Sequence, residues 1–433
     1  MDSIGIRPAR NVAGSLRLPG DKSISHRYAM LAGIADGCST LENFATGADC
    51  ASTLACMEAL GCEVERRSGK ETGATVVDIE GEGPRLRAPS GPLDCGNSGS
   101  TIRMLSGIVA GQDFTCEMVG DASLSRRPMA RIMQPLRQMG AEITANNDRP
   151  PLRIRGGKLR AINYTLPVAS AQVKTCVLFA GLLAEGTTEV EEPLRTRDHG
   201  EVALRAFGAT VGNVDTRRLR IHGGQKLRPI HAVIPGDIST AAFFLCAAAL
   251  FPDSNLVFEN LLLNPTRAAL LDVLRSLGLQ ISVLHVAEQH GELAGAIQAR
   301  YGGLAGLKIA GAASAALIDE LPVLAAIAPY TREGIDVRDA RELRVKESDR
   351  IAAVAANLRA MGAEVEERED GLRVPGNQRL HGAELQSFDD HRIAMAFTIA
   401  ALRAEGDSVM HGADAARISF PEFYSTLEKV VER

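Results

Sequence analysis

Apolar residues recur along the chain in one phrase: a helical stretch with apolar residues at i and i+3, then Gly, then a small or apolar residue and an alternating segment. The phrase occurs at Met57–Val64, Leu136–Ile143, Leu204–Val211, Leu274–Ile281 and Leu358–Val365. Its glycines, Gly61, Gly140, Gly208, Gly278 and Gly362, stand 79, 68, 70 and 84 residues apart. Residues three apart share a helix face. The glycine fits the left-handed position just past a helix end, and the alternation after it reads as a strand. Leu-x-x-Leu-Gly is a common helix ending, so two copies would mean little. Five at near-even spacing predict one α/β subdomain of about 70 residues used several times, longer than a solenoid repeat. The chain leaves room for a sixth copy with a degraded signature. Helices are predicted at 25–36, 48–60, 100–110, 127–139, 170–184, 199–207, 238–250, 266–277, 318–328, 348–361 and 390–404. Strands are predicted between them, at 76–80, 151–155, 219–222, 255–259, 334–338 and 372–374.

Composition narrows the class. The 433 residues are 45% hydrophobic and 23% charged, ordinary for a folded globular chain, so disordered, collagen-like and coiled-coil classes drop out. Two to four domains are expected at roughly 100–200 residues each. The formal net charge is −5, whereas a dedicated nucleic-acid binder carries a basic excess. Aromatics are 4% and Trp is absent, so base-stacking platforms are not expected. Arg outnumbers Lys 40 to 8, which makes each Lys inside a polar motif more informative. The eight cysteines form no Cys-x-x-Cys pair. The N-terminus lacks a basic-then-apolar signal pattern. The longest apolar run, Ala241–Phe251, is short of the about 20 residues that span a bilayer. These features predict a cytoplasmic protein with free thiols, no metal site and no nucleic-acid or membrane partner.

Several polar motifs stand at predicted helix starts. Gly20-Asp21-Lys22-Ser23-Ile24-Ser25-His26-Arg27 precedes an apolar run. Free backbone N–H groups and the helix dipole favour an anion there. Lys22, Ser23 and Arg27 add a point charge, a hydroxyl and a planar fork, although no Gly-x-x-x-x-Gly-Lys-Ser/Thr loop is present. His26 reads as a packed surface histidine and takes no role. Gly96-Asn97-Ser98-Gly99-Ser100 is a small-residue loop opening a helix, where a ligand can approach backbone N–H groups closely. In Leu124–Arg131, Pro128 suits a first helical turn, which places Arg127 at another helix start. Ser170 and Gln172 precede a strongly apolar helix, where they cap it or bind ligand hydroxyls. Toward the C-terminus, Asp319-Glu320, Lys346-Glu347-Ser348-Asp349-Arg350 and Asp390-His391-Arg392 interleave acids and bases before three apolar helices. Glu347 and Arg350 are predicted to share a helix face. Cations sit where the dipole disfavours them. Holding anionic groups explains that placement, and Asp319 and Glu347 are then candidates for proton transfer. Two Pro-Gly-Asp turns, at 19–21 and 235–237, mark the borders of two lobes.

Together these motifs resemble the 5-enolpyruvylshikimate-3-phosphate synthase family, the 3-phosphoshikimate 1-carboxyvinyltransferases, from about Leu18 to Phe423. The resemblance implies an α/β fold of two lobes, each of three βαβαββ repeats, an inside-out α/β barrel of the enolpyruvyl-transferase kind. A lobe at 21–235 would carry most shikimate-phosphate contacts. A second, 1–20 plus 236–433, would carry acid–base and phosphoenolpyruvate contacts. The implied activity moves the enolpyruvyl group of phosphoenolpyruvate to the 5-hydroxyl of shikimate 3-phosphate through a tetrahedral intermediate. Lys22, Ser23, Arg27, Ser170, Gln172, Arg197, Asp319 and Lys346 would hold shikimate 3-phosphate. Lys22, Asn97, Gly99, Arg127, Gln172, Arg350, His391 and Arg392 would hold phosphoenolpyruvate. Asp319, Glu347 and Lys22 would be catalytic. No metal or organic cofactor is implied. The expected partners are small anionic substrates, the expected assembly is a monomer, and glyphosate is expected to compete at the phosphoenolpyruvate site. Three positions depart from the family: Ser100 stands where many members have Thr, Met104 where some have Pro, and Ile418 where some have a Lys, with Lys346 the candidate substitute.

The alternative is the related transferase acting on UDP-N-acetylglucosamine, which uses a loop cysteine. Here Cys116 falls in the comparable region but in a strand-like run, Phe114–Glu117. Cys116→Ser is therefore expected to leave turnover intact in a steady-state assay; loss of activity would favour the alternative.

Overall fold

All five phrase glycines have positive φ, from +86° at Gly362 to +116° at Gly278. At Gly140 the N–H returns to the Arg137 carbonyl (3.0 Å) and the Ala141 N–H to that of Leu136 (3.0 Å), closing the helix with a left-handed turn. The strand that follows each glycine lies at a sheet edge beside the next strand in the chain. The repeat is therefore one physical unit: a helix, its glycine stop and an edge hairpin.

The computed structural model describes residues 3–69 and 74–433. Six sheets are built on one plan. In the unit containing Leu93–Asp94, that strand runs parallel to Thr115–Val119, which pairs antiparallel with Arg149–Arg155, and Glu142–Asn146 forms the edge. With helices Gly99–Val109 and Ala130–Met139 between them, the order is βαβαββ. The units containing Asn163–Thr165 and Leu307–Ile309 repeat it with the same pairing senses. Three further sheets borrow a strand from a distant segment. His231–Val233 runs parallel to Asp36–Glu42, Asn11–Arg17 parallel to Asn255–Leu262, and Ser3–Ile6 antiparallel to Ser408–His411. The last of these is the sixth copy. Its signature is absent because its outer strand comes from the N-terminus rather than from a helix–Gly–hairpin.

By contacts the chain divides into two compact units, Gly20–Ile234 with Glu288–Glu292, and Met1–Pro19 with Pro235–Ala287 and Leu293–Arg433. Each holds three of the sheets. In the first, helix Gly99–Val109 packs against both Lys22–Gly33 and Ala171–Leu183. In the second, Ile238–Leu250, Leu321–Ile327 and His391–Ala401 pack on one another and are buried at every residue. These helices are apolar all round because neighbours cover every face. Outer helices such as Ala269–Leu277 bury only a stripe, Leu270, Leu274 and Leu277. Among the described residues no helix is long and apolar enough to cross a membrane.

All eleven predicted helices form, most with shifted ends and Ile238–Leu250 as expected. The first is Lys22–Gly33 rather than 25–36, because the Asp21 carboxylate accepts the Ile24 N–H at 2.9 Å and caps the chain earlier. Two expectations are corrected. Arg127 does not sit at a helix start: Pro128 precedes the N-cap Met129, the helix is Ala130–Met139, and Arg127 closes the 3₁₀ turn Leu124–Arg126. Glu347 and Arg350 do not share a helix, because Asp349 caps a helix that begins at Arg350.

A methyl group at Gly140 would come no nearer than 3.7 Å to another atom, whereas at Gly278 it would lie 1.7 Å from the Gly303 carbonyl oxygen. Urea unfolding should show Gly140→Ala costing about 1–2 kcal/mol from backbone conformation alone, and Gly278→Ala costing about 3 kcal/mol or more, since backbone must also move.

Candidate active site

The polar motifs gather at the first turns of the buried helices, and each unit has its own cluster. In the 20–234 unit, Lys22 Nζ pairs with Asp49 Oδ2 at 2.9 Å. Arg27, one turn further on, donates to the Ser23 carbonyl (2.8 Å) and to Thr175 Oγ1 (3.2 and 3.0 Å), tying two buried helices together. Burial lowers its pKa to about 10; Glu201 and Asp21 oppose that shift and the charge of Arg197 adds to it. Arg197 is half-buried in the loop before His199–Ala206, close enough for its charge to reach Arg27.

Ser170 caps Ala171–Leu183, its Oγ accepting from the Val173 N–H. The next polar side chain, Gln172, accepts from Arg103 Nη1 at 2.8 Å and donates to Ser100 Oγ at 2.9 Å. Arg127 Nη2 donates to Asn97 Oδ1 at 2.7 Å, and Asn97 donates to Asp121 Oδ2 at 2.6 Å. Gly99 lies under both guanidiniums: a Cβ there would sit 3.0 Å from Arg103 Nη1 and 3.2 Å from Arg127 Nη1. Asn97, Gly99, Arg127 and Gln172 thus form one surface of small residues and donors at a helix start, a geometry suited to an anion.

The second unit's cluster centres on Arg350, whose side chain is 1% exposed. Its guanidinium meets Asp390 (Nε–Oδ2 2.8 Å), Glu347 (Nη2–Oε2 2.7 Å) and Asp319 (Nη1–Oδ1 3.7 Å). Burial alone would lower its pKa, but the carboxylates, Asp390 foremost, raise it above the usual value. Asp319 also lies 3.6 Å from Lys346 Nζ, and its carbonyl accepts from Arg392 Nη1 at 2.6 Å. Asp390 caps His391–Ala401 through the Arg392 N–H, and His391 Nδ1 lies 3.9 Å from its Oδ1. Arg392 is also 3.9 Å from Glu320, which is hydrogen-bonded to Ser239 and 3.8 Å from Arg267. Glu347 and Asp319 therefore lie against one buried cation, Arg350.

Several partners escaped the sequence reading. Asp49 belongs to a different helix from Lys22, and nothing local marks it. Arg103 lies one turn beyond its motif's glycine, and Asp390 looked like one acid among several. Arg267 and Glu320 meet only through the fold. Cys116 lies in strand Thr115–Val119, 5% exposed, with its thiol pushed up to about 12 by burial and by Cys56, which removes it as a reactive loop cysteine. Among the described residues no group of three or more His, Cys, Asp or Glu is placed to hold a metal ion.

Repeated βαβαββ units with charged groups at the starts of buried helices define a fold of the enolpyruvyl-transferase kind. The family model described as EPSP synthase (3-phosphoshikimate 1-carboxyvinyltransferase) matches residues 6–427. The chain belongs to this family. It is 63% identical over 433 residues to the 3-phosphoshikimate 1-carboxyvinyltransferase of Koribacter versatilis (strain Ellin345), covering 100% of both chains. It is 56% identical to that of Solibacter usitatus (strain Ellin6076), covering 99% of each. A solved EPSP synthase from Acinetobacter baumannii superposes with a TM-score of 0.87 at 39% identity, over 100% of this chain and 98% of that one.

The Asp390 carboxyl is driven up by burial but held below its usual range overall, chiefly by Arg350. A carboxyl depressed in the fold adds stability above its unfolded pKa, near ~4, and loses it as pH falls through the folded value. Asp390→Asn should lower stability by about 3 kcal/mol near neutrality, because Arg350 loses its main partner in a buried site. The gap to wild type should narrow in urea titrations carried below about pH 4.

Proposed function

We infer that the chain is a 3-phosphoshikimate 1-carboxyvinyltransferase, moving the enolpyruvyl group of phosphoenolpyruvate to the 5-hydroxyl of shikimate 3-phosphate in the shikimate pathway. The activity follows from the family. The assignment of residues to steps is our proposal.

Lys22, Ser23, Arg27, Ser170, Gln172, Arg197, Asp319 and Lys346 hold shikimate 3-phosphate. Lys22, Asn97, Gly99, Arg127 and Gln172 hold phosphoenolpyruvate together with Arg350, His391 and Arg392. Addition begins as a proton reaches the methylene carbon of phosphoenolpyruvate, supplied by Glu347 with Lys22, and the shikimate 5-hydroxyl attacks the neighbouring carbon. Asp319 takes the hydroxyl proton. The tetrahedral phospho-adduct then expels phosphate while Glu347, with Lys22, takes a proton back from the new methyl group, and the enol ether remains. Fixed cations offset the charge of phosphate and carboxylate throughout. The observation that carries the acid–base assignment is the Arg350 cluster, where Asp319 and Glu347 rest on one buried guanidinium. We further place the enzyme in the cytoplasm as a monomer. Its eight cysteines are free thiols, in keeping with a reducing compartment.

The test is phosphate release by the purified protein. Release is expected only when phosphoenolpyruvate and shikimate 3-phosphate are both present, and release independent of shikimate 3-phosphate would overturn the assignment. Lys22→Met and Arg127→Leu should each lower kcat/KM by about 100-fold or more, the size expected when a preorganised charge is removed.

A further inference from the structure

His26 is fully buried, yet neither the sequence nor the reaction above gives it work. Its Nδ1 meets Thr53 Oγ1 at 2.7 Å, and Thr53 Oγ1 meets Thr101 Oγ1 at 2.7 Å. Thr101 Oγ1 donates onward to Ser98 Oγ at 2.7 Å, with the Asp49 carbonyl 3.4 Å away as a second acceptor. Ser98 is the cap of Gly99–Val109 and accepts the Thr101 N–H at 3.1 Å. The chain thus crosses three helices, Lys22–Gly33, Ala48–Ala59 and Gly99–Val109, and ends at the cap beside Gly99.

Each threonine hydroxyl has one proton, and that fixes the direction. The Thr101 proton goes outward, to Ser98 or to the Asp49 carbonyl, so Thr101 can only accept from Thr53. Thr53 has then spent its own proton and can only accept from His26. Nδ1 must therefore carry a hydrogen. His26 Nε2 is buried with no hydrogen-bond partner among the described residues, so a second proton there would be an unpaired donor in a buried site. Lys22 and Arg27 also stand close enough for their charges to oppose a cation at this ring, and burial acts the same way.

We propose that His26 is a neutral, Nδ1-protonated positioning residue whose one-way hydroxyl chain through Thr53 and Thr101 sets the Ser98 cap, and with it the Gly99 helix start, relative to Lys22. This rests on the assignment of Gly99 and Lys22 to the phosphoenolpyruvate site. Asparagine supplies an N–H close to the Nδ1 position and continues the chain. Leucine fills similar space but ends it, as does valine at Thr53.

Two measurements on the full-length enzyme test the inference. In ¹⁵N-histidine spectra, the signal missing from His26→Asn identifies His26; it should show a protonated Nδ1, a bare Nε2 and no titration across the neutral range. A protonated Nε2 or a midpoint near neutrality would overturn the proposal whatever the kinetics show. In kinetics, His26→Leu and Thr53→Val should each raise the KM for phosphoenolpyruvate about tenfold, the size of a buried hydrogen bond broken on one side. The KM for shikimate 3-phosphate should move much less, and His26→Asn should restore the wild-type value. Unchanged KM in both Leu and Val variants, or equal shifts for both substrates, would overturn it. Should His26→Leu fail to fold, Thr53→Val gives the same reading. Gly99→Ala separates the two levels of the argument: an unchanged KM for phosphoenolpyruvate there would refute the site assignment, while the spectra still decide the state of His26.

Discussion

Positive side chains at the start of a helix work against the dipole, and buried ones also lose their hydration. The site depends on how the structure meets that constraint. Lys22 has Asp49, Arg350 has Asp390 and Glu347, Lys346 has Asp319, and Glu320 stands between Arg267 and Arg392. Arg103 and Arg127 lean on the amides of Gln172 and Asn97. A network of this kind holds cations rigidly before any ligand arrives. An anionic substrate then meets charge that is already oriented, rather than side chains that must first be ordered.

The same constraint gives the two units different characters. In the 20–234 unit Lys22 meets Asp49, Arg27 meets the Thr175 hydroxyl, Arg103 and Arg127 meet amides, and the acids Glu192 and Glu201 gather on the buried Lys174. The other unit concentrates acids: Asp319, Glu347 and Asp390 all meet Arg350. A surface rich in donors suits the binding of phosphate and carboxylate groups. A surface where carboxylates share one fixed cation suits groups that must take up and release protons. The repeat supplies the helix starts, and the residues grafted on them give the two units different charge patterns.

Much of this was legible in the sequence because it is local. The Leu-x-x-Leu-Gly phrase records a helix, its stop and a strand within eight residues, so five of the six repeats announce themselves. The motifs at Lys22, Gly99 and Arg392 were readable because capping and charge lie next to each other in the chain. Tertiary pairings were not readable. Asp49 and Asp390 face their cations across helix–helix packing, and no spacing rule reaches them. His26 passed for a packed histidine because its meaning lies in Thr53 and Thr101, residues on two other helices. Arg127 was placed wrongly because Pro128 also fits the turn that precedes a helix cap. Glu347 reached Arg350 from a turn rather than along a helix, so its pairing was correctly expected for the wrong geometry.

The borrowed strands bear on how the chain is made. Ser3–Ile6 and Asn11–Arg17 are synthesised first, yet their neighbours, Ser408–His411 and Asn255–Leu262, come hundreds of residues later. The segment from Gly20 to Ile234 contains nearly all of its own unit and can assemble while translation continues. Asn11–Arg17 can pair with its parallel neighbour only once Asn255–Leu262 has been made, and Ser3–Ile6 only once Ser408–His411 has. Closing such a large loop is entropically slow. These two pairings are therefore among the costliest of the fold in loop-closure entropy.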